Sequence, residues 1–216
     1  MNSFFNLKPS THLPFFLLLA FIGGFVDASS FVIFEVFTGH LTGNSVLSMI
    51  YVAQMNWDIL LMSTISILGF FLGTLSGSLV RMKKESPSLY KYIIGLMFIL
   101  FFMVFYLHFF VIYSNNLSIF IISLSMGILN GYFNKAGDVS IHSTYVTGMT
   151  TSCIGAFLKN TQGDNSKKVL LFAVLSFVFG ALAGGFLSTN YHFTGFSVVL
   201  IPLFATFIYS FRFKVV

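Results

Sequence analysis

The chain of 216 residues is 56% hydrophobic, contains 30 Phe and carries only 8% charged residues. Soluble domains carry about 25% charged residues, so this composition excludes a water-soluble domain and predicts an all-α membrane protein. The formal net charge of +5 indicates membrane orientation and attraction to anionic lipid headgroups, and we do not expect nucleic-acid binding.

Six uncharged apolar runs follow one another along the chain. They lie at 13–26, 59–80, 93–113, 118–134, 169–189 and 195–211, and the first continues through Asp27 to Phe34. A helix needs roughly 20 such residues to cross the hydrocarbon of a bilayer. We therefore predict six transmembrane helices in a single integral membrane domain, residues 1–216.

The placement of basic residues supports this count, because Lys and Arg are retained on the cytoplasmic side of a membrane. With a cytoplasmic N-terminus, all 11 Lys and Arg residues fall in cytoplasmic segments. The opposite loops, near 35–58, 114–117 and 190–194, contain Glu35 and Asp58 but no basic residue. We expect a multi-pass protein with both termini in the cytoplasm.

A cleaved signal peptide is the alternative interpretation of the first run. Lys8 precedes it, and Ala28-Ser29-Ser30 resembles a cleavage region. Apolar character resumes at Phe31, and removal of the segment would disturb the charge pattern, so we favour a retained helix. The single Cys153 excludes an internal disulfide.

Asp27 is unusual because it lies near the middle of the first predicted span. An ionised carboxylate there costs a few kcal/mol, and such residues suggest a functional site. The alternative is a structural role, in which Asp27 bonds the backbone of a broken helix beside Gly23-Gly24.

Two Thr-Gly pairs precede apolar segments that are too short to cross a membrane. Thr42-Gly43 and Asn44 lead into residues 45–53, and Thr147-Gly148 leads into 149–157. Such segments are typical of re-entrant or interfacial helices. Thr or Asn can cap a helix, Gly allows close approach, and free N–H groups can meet an anion. We predict ligand-binding positions at both pairs; the alternative for the first is an ordinary external turn.

The two halves of the chain share an order of motifs. Gly24-x-x-Asp27, Thr42-Gly43 and the ladder Gly69-x-x-x-Gly73-x-x-x-Gly77 occur in the first half. Gly127-x-x-Asn130, Thr147-Gly148 and Gly180-x-x-x-Gly184-x-x-x-Ser188 occur in the second. Each unit, 13–113 or 118–212, contains three spans, so the second enters the membrane from the opposite side. We predict an inverted repeat in which Asn130 is the uncharged counterpart of Asp27.

The glycine ladders favour close packing between helices of one chain. Their alternative is a homodimer face. Histidines occur at His40, His108 and His142, but none has metal-ligand spacing, and we predict no metal and no cofactor. Lys135 and Asp138 have the spacing of an i, i+3 ion pair.

Three stretches carry a resemblance to a known family: GGFVDASSF at 23–31, FTGHLTGNSV at 37–46 and TYVTGMTT at 144–151. They resemble the YoaK-like family of bacterial membrane proteins. The matching positions are Gly24, Asp27, Thr42, Gly43, Asn44, Asn130, Thr144, Thr147 and Gly148. Relatives carry a Gln-Asn pair and an Arg where this chain has Leu129-Asn130 and Lys135. The resemblance implies a bacterial inner-membrane protein and no particular substrate.

These observations favour a small-solute transporter in the lipid bilayer, taking a polar or anionic solute. Asp27, Asn130 and the two Thr-Gly segments would form its site. The alternatives are a binding, sensory or assembly protein without transport, and a membrane enzyme acting on a lipid or small molecule. We expect no enzymatic activity.

Overall fold

The computed structural model describes residues 13–83, 89–111, 114–133, 146–158 and 166–212. These ranges contain eight helices and no strand. The helices are α1 (Leu13–Phe34), α2 (Leu41–Ala53), α3 (Trp57–Lys83), α4 (Tyr90–Phe110), α5 (Asn115–Tyr132), α6 (Val146–Leu158), α7 (Ser166–Ser197) and α8 (Leu200–Ser210). The all-helical prediction is confirmed.

Four of these helices are long and apolar enough to cross a membrane. They are α1, α3, α4 and the part of α7 from Lys168 to Ser197. The predicted spans at 118–134 and 195–211 correspond to α5 and α8, which do not meet the same measure. The prediction of a membrane protein holds, but length and hydropathy do not confirm six spans.

The two exceptions have different physical reasons. Helix α5 begins with two Asn residues and carries Ser118, Ser123 and Ser125, which lower its hydropathy but are buried against other helices. The run 195–211 is divided, because its first three residues end α7, residues 198 and 199 form a turn, and α8 begins only at Leu200. Helix α7 is also broken just before this run, at His192 (φ 49°, ψ −130°).

Glycines allow α3 to pack along α5, and α1 along α7, with backbone against backbone. A Cβ added to Gly73 would overlap the carbonyl oxygen of Leu124, and one added to Gly127 would overlap that of Phe70. The same crowding occurs at Gly77 with Ile128, Gly24 with Phe177, Gly180 with Phe21, Gly184 with Phe25 and, less tightly, Gly69 with Phe120. The ladders therefore have partners within the chain, and dispersion contacts hold these helix pairs together.

Both close pairs run parallel. Successive ladder glycines of α3, from Gly69 to Gly77, meet successive positions of α5, from Phe120 to Ile128. The contacts between α1 and α7 progress in the same direction. The starts of α1 and α7 therefore lie at the same end of the bundle, and the ends of α3 and α5 likewise lie together. An aromatic cluster places the ends of α3 and α5 beside the starts of α1 and α7.

That cluster forms around Phe15 at the start of α1. Its ring centroid lies 5.8 Å from Tyr90, 5.5 Å from Phe133 and 6.5 Å from Tyr209. These contacts join the starts of α1 and α4 to the ends of α5 and α8. We call this the aromatic end of the bundle.

The basic residues of the described ranges all lie at the aromatic end. The Lys and Arg residues are Arg81, Lys83, Lys91, Lys167, Lys168 and Arg212, at the end of α3, the start of α4, the start of α7 and just after α8. The acids Glu35 and Asp58 follow α1 and begin α3 at the opposite end. This separation agrees with the one-sided distribution of basic residues in the sequence.

The two short apolar segments are helices of 13 residues each. Helix α2 packs against α3, and α6 packs against α7. Because α2 connects the end of α1 to the start of α3, it lies away from the aromatic end. Helix α6 lies between the end of α5 and the start of α7, so it is on the aromatic side.

We expect Gly73→Val to lower the Tm in detergent by roughly 5–10 °C, because the new side chain meets fixed backbone. The temperature at which half of the protein stays monodisperse on heating measures this. Gly155→Ala is the control, because a Cβ at that position has no atom within 4 Å. An unchanged Tm for Gly73→Val would contradict the close packing of α3 and α5.

Candidate functional site

The candidate site is the irregular segment, residues 35–40, that joins α1 to α2. Glu35 has a φ of 59°, the left-handed conformation, and breaks the chain away from α1. Backbone groups in such a segment need partners inside the protein, because lipid offers none. Buried side chains supply them: Asp27 and Asn44, together with the hydroxyls of Tyr51 and Ser66.

Asp27 faces this segment from α1 and is only 4% exposed. Its Oδ1 accepts a hydrogen bond from the Gly39 N–H at 2.7 Å, and the Thr38 amide interacts with the same carboxyl. The Thr38 hydroxyl donates to Ser30 Oγ at 3.0 Å, and Ser30 donates to the Val26 carbonyl at 2.7 Å. Oδ2 of Asp27 is buried and has no hydrogen-bond partner within the described part of the chain. One carboxyl oxygen thus orders the segment, and the other is uncommitted.

Asn44 holds the same segment from α2. Its side chain bonds both backbone groups of Phe37, accepting from the N–H at 2.9 Å and donating to the carbonyl at 2.6 Å. It also donates to Ser66 Oγ at 2.9 Å, and Ser66 contacts the hydroxyl of Ser123 at 2.8 Å. These contacts link the segment to α3 and α5 and occupy the amide of Asn44.

Further hydroxyl contacts fasten α2 in place. Ser48 and Ser63 share a hydrogen bond of 2.7 Å, and Ser63 also donates to the Asn44 carbonyl at 3.2 Å. The Tyr51 hydroxyl donates to the carbonyl of Glu35 at 2.7 Å. Helix α2 is therefore tied at several points to α3 and to the end of α1.

Thr42-Gly43, the second Thr-Gly pair of the octapeptide TGHLTGNS at 38–45, lies inside the first turn of α2. The helix begins at Leu41, and His40 occupies the N-cap position without a side-chain capping bond. The expectation that Thr42 or Asn44 caps this helix is therefore wrong. Gly43 packs against the ring of Phe37, because a Cβ added to Gly43 would lie 3.0 Å from that ring.

Thr42 lies on the outer face of α2, which lines a shallow groove. Ser45, Val46 and Met49 continue this face, and Met49 is 65% exposed. Thr42 can be reached from outside the bundle, whereas Asn44 cannot.

In the second half, Asn130 is half-buried near the end of α5, next to Gly131. Thr147 is exposed and Gly148 half-buried in the first turn of α6, which begins at Val146. His142, Thr144, Lys135 and Asp138 lie outside the described residues.

Asp27 and Asn130 occupy different depths in the bundle. Phe15 and Phe133 are in ring contact at the aromatic end. Asp27 lies about 18 Å along α1 from Phe15, and Asn130 about 4.5 Å along α5 from Phe133, at about 1.5 Å per helical residue. The two side chains thus belong to levels about 13 Å apart, each near its own Thr-Gly segment.

The histidines make ring contacts. His40 lies beside Phe37 with centroids 5.5 Å apart, and its partial burial lowers its pKa. His108 stacks on Phe193 at 3.6 Å. Across the described ranges, no three His, Cys, Asp or Glu side chains form a group that could hold a metal ion.

Sequence reasoning missed Thr38, Gly39 and Ser66. The octapeptide TGHLTGNS contains two Thr-Gly pairs, and the first one meets Asp27. The presence of two Thr-Gly pairs was the only feature of the sequence that could have pointed to Thr38 and Gly39. The partner of Asp27 is a backbone N–H, which no residue type reveals.

We expect Asn44→Ala to destabilise the protein by roughly 2–4 kcal/mol, because the buried Phe37 N–H loses its partner and the Phe37 carbonyl keeps only the Ser66 hydroxyl, at 2.6 Å. Thermal unfolding in detergent and protease sensitivity of the 35–40 segment measure this. Thr42→Ala is the matched control on the exposed face of α2 and should behave as wild type. Equal stability of the two variants would show that Asn44 does not hold the segment.

Comparison with known proteins places this arrangement in a family. No solved structure matches the chain. The UPF0700 transmembrane protein YoaK of Bacillus subtilis (strain 168) is 26% identical over 203 residues, which cover 88% of each chain. A family model described as protein of unknown function (DUF1275) matches residues 15–209. The resemblance expected from the motifs is confirmed, and the chain belongs to the DUF1275 family.

Proposed function

We propose that the chain is a small-solute transporter of the bacterial inner membrane, with six crossings and both termini in the cytoplasm. Its helices form an inverted repeat of three plus three. Asp27 binds a cation or a proton, and Asn130 is its uncharged counterpart. The free N–H groups at the starts of α2 and α6, beside Thr42-Gly43 and Thr147-Gly148, hold the polar or anionic part of the solute.

Reciprocal contacts of the close-packed glycines are the observation that carries the proposal. Gly24 meets the carbonyl of Phe177, and Gly127 meets that of Phe70. This correspondence relates α1 to α5 by an offset of 103 residues and α3 to α7 by 107. The other pairs keep both offsets: Gly73 with Leu124 against Gly180 with Phe21, and Gly77 with Ile128 against Gly184 with Phe25. Two unrelated helix pairs would have no reason to share both offsets.

The same offsets explain the one ladder position that differs. With these offsets Gly69 corresponds to Ser176. The order of the ladders in the sequence matches Gly69 to Gly180, which lies one helical turn further along α7. The Ser176 hydroxyl donates to the Leu17 carbonyl at 2.7 Å, and Gly69 faces the carbonyl of Phe120, the counterpart of Leu17. A small side chain that bonds the neighbouring carbonyl thus stands where the first half has no side chain.

The remaining helices of the first half also have counterparts in the second half. Helices α2 and α6 have equal lengths and are related by an offset of 105 residues. Helix α2 packs on α3 as α6 packs on α7, and α4 packs on α5 as α8 packs on α1. Every such packing pair has its counterpart when the halves are exchanged.

Six crossings are supported by the direction of the helices. Helix α5 runs parallel to α3, a span-length helix, and its buried serines face protein. Helix α8 returns from the far end to Tyr209 at the aromatic end. The basic residues gathered there are expected to be cytoplasmic.

This architecture supports a transport role, because the inverted repeats of many secondary transporters place irregular backbone and a polar site within the membrane and allow access to alternate between its sides. A buried carboxyl facing irregular backbone fits that design. In the outer half of the protein, Asp27 is this carboxyl and the Thr38 and Gly39 amides are the irregular backbone that it faces.

We expect Asp27→Asn to abolish solute uptake by proteoliposomes while the protein stays folded, because the variant cannot exchange charge. Proteoliposomes are incubated with a bacterial extract of small metabolites, and mass spectrometry identifies solutes enriched inside. Asp58→Asn, which changes an exposed acid of α3, is the matched control and should keep wild-type uptake. Undiminished uptake by Asp27→Asn, or no enrichment over empty liposomes, would contradict the proposal.

A further inference from the structure

Asp27 offers a carboxyl with two unequal oxygens in a dry environment. Oδ1 accepts from the Gly39 N–H at 2.7 Å, and Oδ2 is buried without a hydrogen-bond partner among the residues described. Any occupant of this site must therefore suit one free oxygen that faces protein rather than water.

A metal cation suits this site poorly. Hard cations require several oxygen ligands, commonly six or more for Ca²⁺. Here Oδ1 faces a backbone N–H, whose positive end repels a cation. The hydroxyl hydrogens of Thr38 and Ser30 are committed to a chain that ends at the Val26 carbonyl.

Among the residues that the structure describes, an ionised Asp27 would also have no counter-charge near it. The described Lys and Arg residues lie at the aromatic end, more than one helical turn from Asp27. The titratable groups nearest along the chain are Glu35, which would repel it, and His40, whose partial burial lowers its pKa. The other elements packed on α1 carry the following groups at or near their ends: Tyr132 on α5, Lys167, Lys168, Tyr191 and His192 on α7, and Tyr209 and Arg212 at α8.

We propose that the occupant is a proton: Asp27 is a neutral carboxylic acid protonated on Oδ2 and releases this proton to a water molecule that reaches Oδ2. The O–H bond of the acid breaks, water becomes hydronium, and the carboxylate keeps the Gly39 N–H bond. The use of this proton to drive solute uptake rests on the proposed function, but its presence does not.

Infrared difference spectroscopy of the purified protein tests the proposal without any transport. Subtraction of the Asp27→Asn spectrum from the wild-type spectrum should leave a protonated carboxylic C=O band that shifts in D₂O and disappears as pH rises. The midpoint should be the same in sodium, potassium and choline chloride. The Asp58→Asn variant should retain the band.

Two results would overturn the proposal. Loss of the band on adding sodium or potassium at constant pH would assign a metal cation to the site. Absence of an Asp27-dependent band at every pH would mean that the carboxyl is always ionised. Failure of solute uptake with the band present would remove the transport role alone.

A second and independent observation concerns the unequal attachment of α2 and α6. In the first half, Asn44 bonds Ser66, which bonds Ser123, and Ser48 bonds Ser63. At the offsets of the repeat, the corresponding residues of the second half are Met149, Ala173, Ala20, Cys153 and Leu170, all of them buried. The side-chain hydrogen bonds that join α2 to its neighbours therefore have no equivalent between these pairs of residues in the second half.

These two kinds of contact resist motion differently. Moving α2 breaks directional hydrogen bonds and leaves buried polar groups without partners. At the corresponding positions, moving α6 separates apolar side chains, which costs little when lipid tails are also apolar. We infer that α6 is the mobile member of the pair and opens the aromatic side of the protein, while α2 stays fixed.

Hydrogen–deuterium exchange of the full-length protein in detergent tests this difference. We expect backbone amides of α6 to exchange about tenfold faster than those of α2, and Asn44→Ala to accelerate α2 without changing α6. Alkylation of Cys153, which is buried in α6, gives a second readout and should proceed without denaturant. Equal or faster exchange in α2, or a Cys153 that reacts only after unfolding, would overturn the inference.

Discussion

The backbone contact between glycine-bearing helices is the constraint on which the rest of this structure depends. Helix α3 approaches α5, and α1 approaches α7, so closely that a single Cβ at Gly73 or Gly180 would overlap a carbonyl oxygen. In a membrane, the hydrophobic effect does not drive apolar helix faces together, because lipid tails are equally apolar. Close backbone contact instead supplies the dispersion energy that holds the bundle together. The two parallel pairs then fix where α2 and α6 can lie.

The polar segment before α2 follows from that frame. Once α1 and α3 are fixed, the chain between them must leave the helical conformation, and its amides need partners that lipid cannot give. Asp27 and Asn44 satisfy Gly39 and Phe37 from two sides. Hydrogen bonds to the segment and to α3 account for Asn44, whereas Asp27 keeps one oxygen without a partner among the described residues, and the proposed proton site rests on that oxygen.

Much of this fold could be predicted from composition and spacing, because lipid imposes strong rules on both. The membrane class, the glycine ladders and the two short helices each follow from such rules. The pairing of the ladders could not be predicted, since small residues at i, i+4 and i+8 align equally well after a shift of four. The break at His192 carries no Pro or Gly signal at that residue. The contact of Asp27 escaped prediction because its partner is a backbone amide.

A structure of the protein in a lipid nanodisc, determined with any ligand that co-purifies, tests the central claim most directly. The account predicts that α1–α3 superpose on α5–α7 after a two-fold rotation about an axis in the membrane plane, with Gly24 on Gly127 and Gly73 on Gly180. Superposition in another register, or a Gly73 ladder that faces lipid or a second copy of the chain, would contradict it.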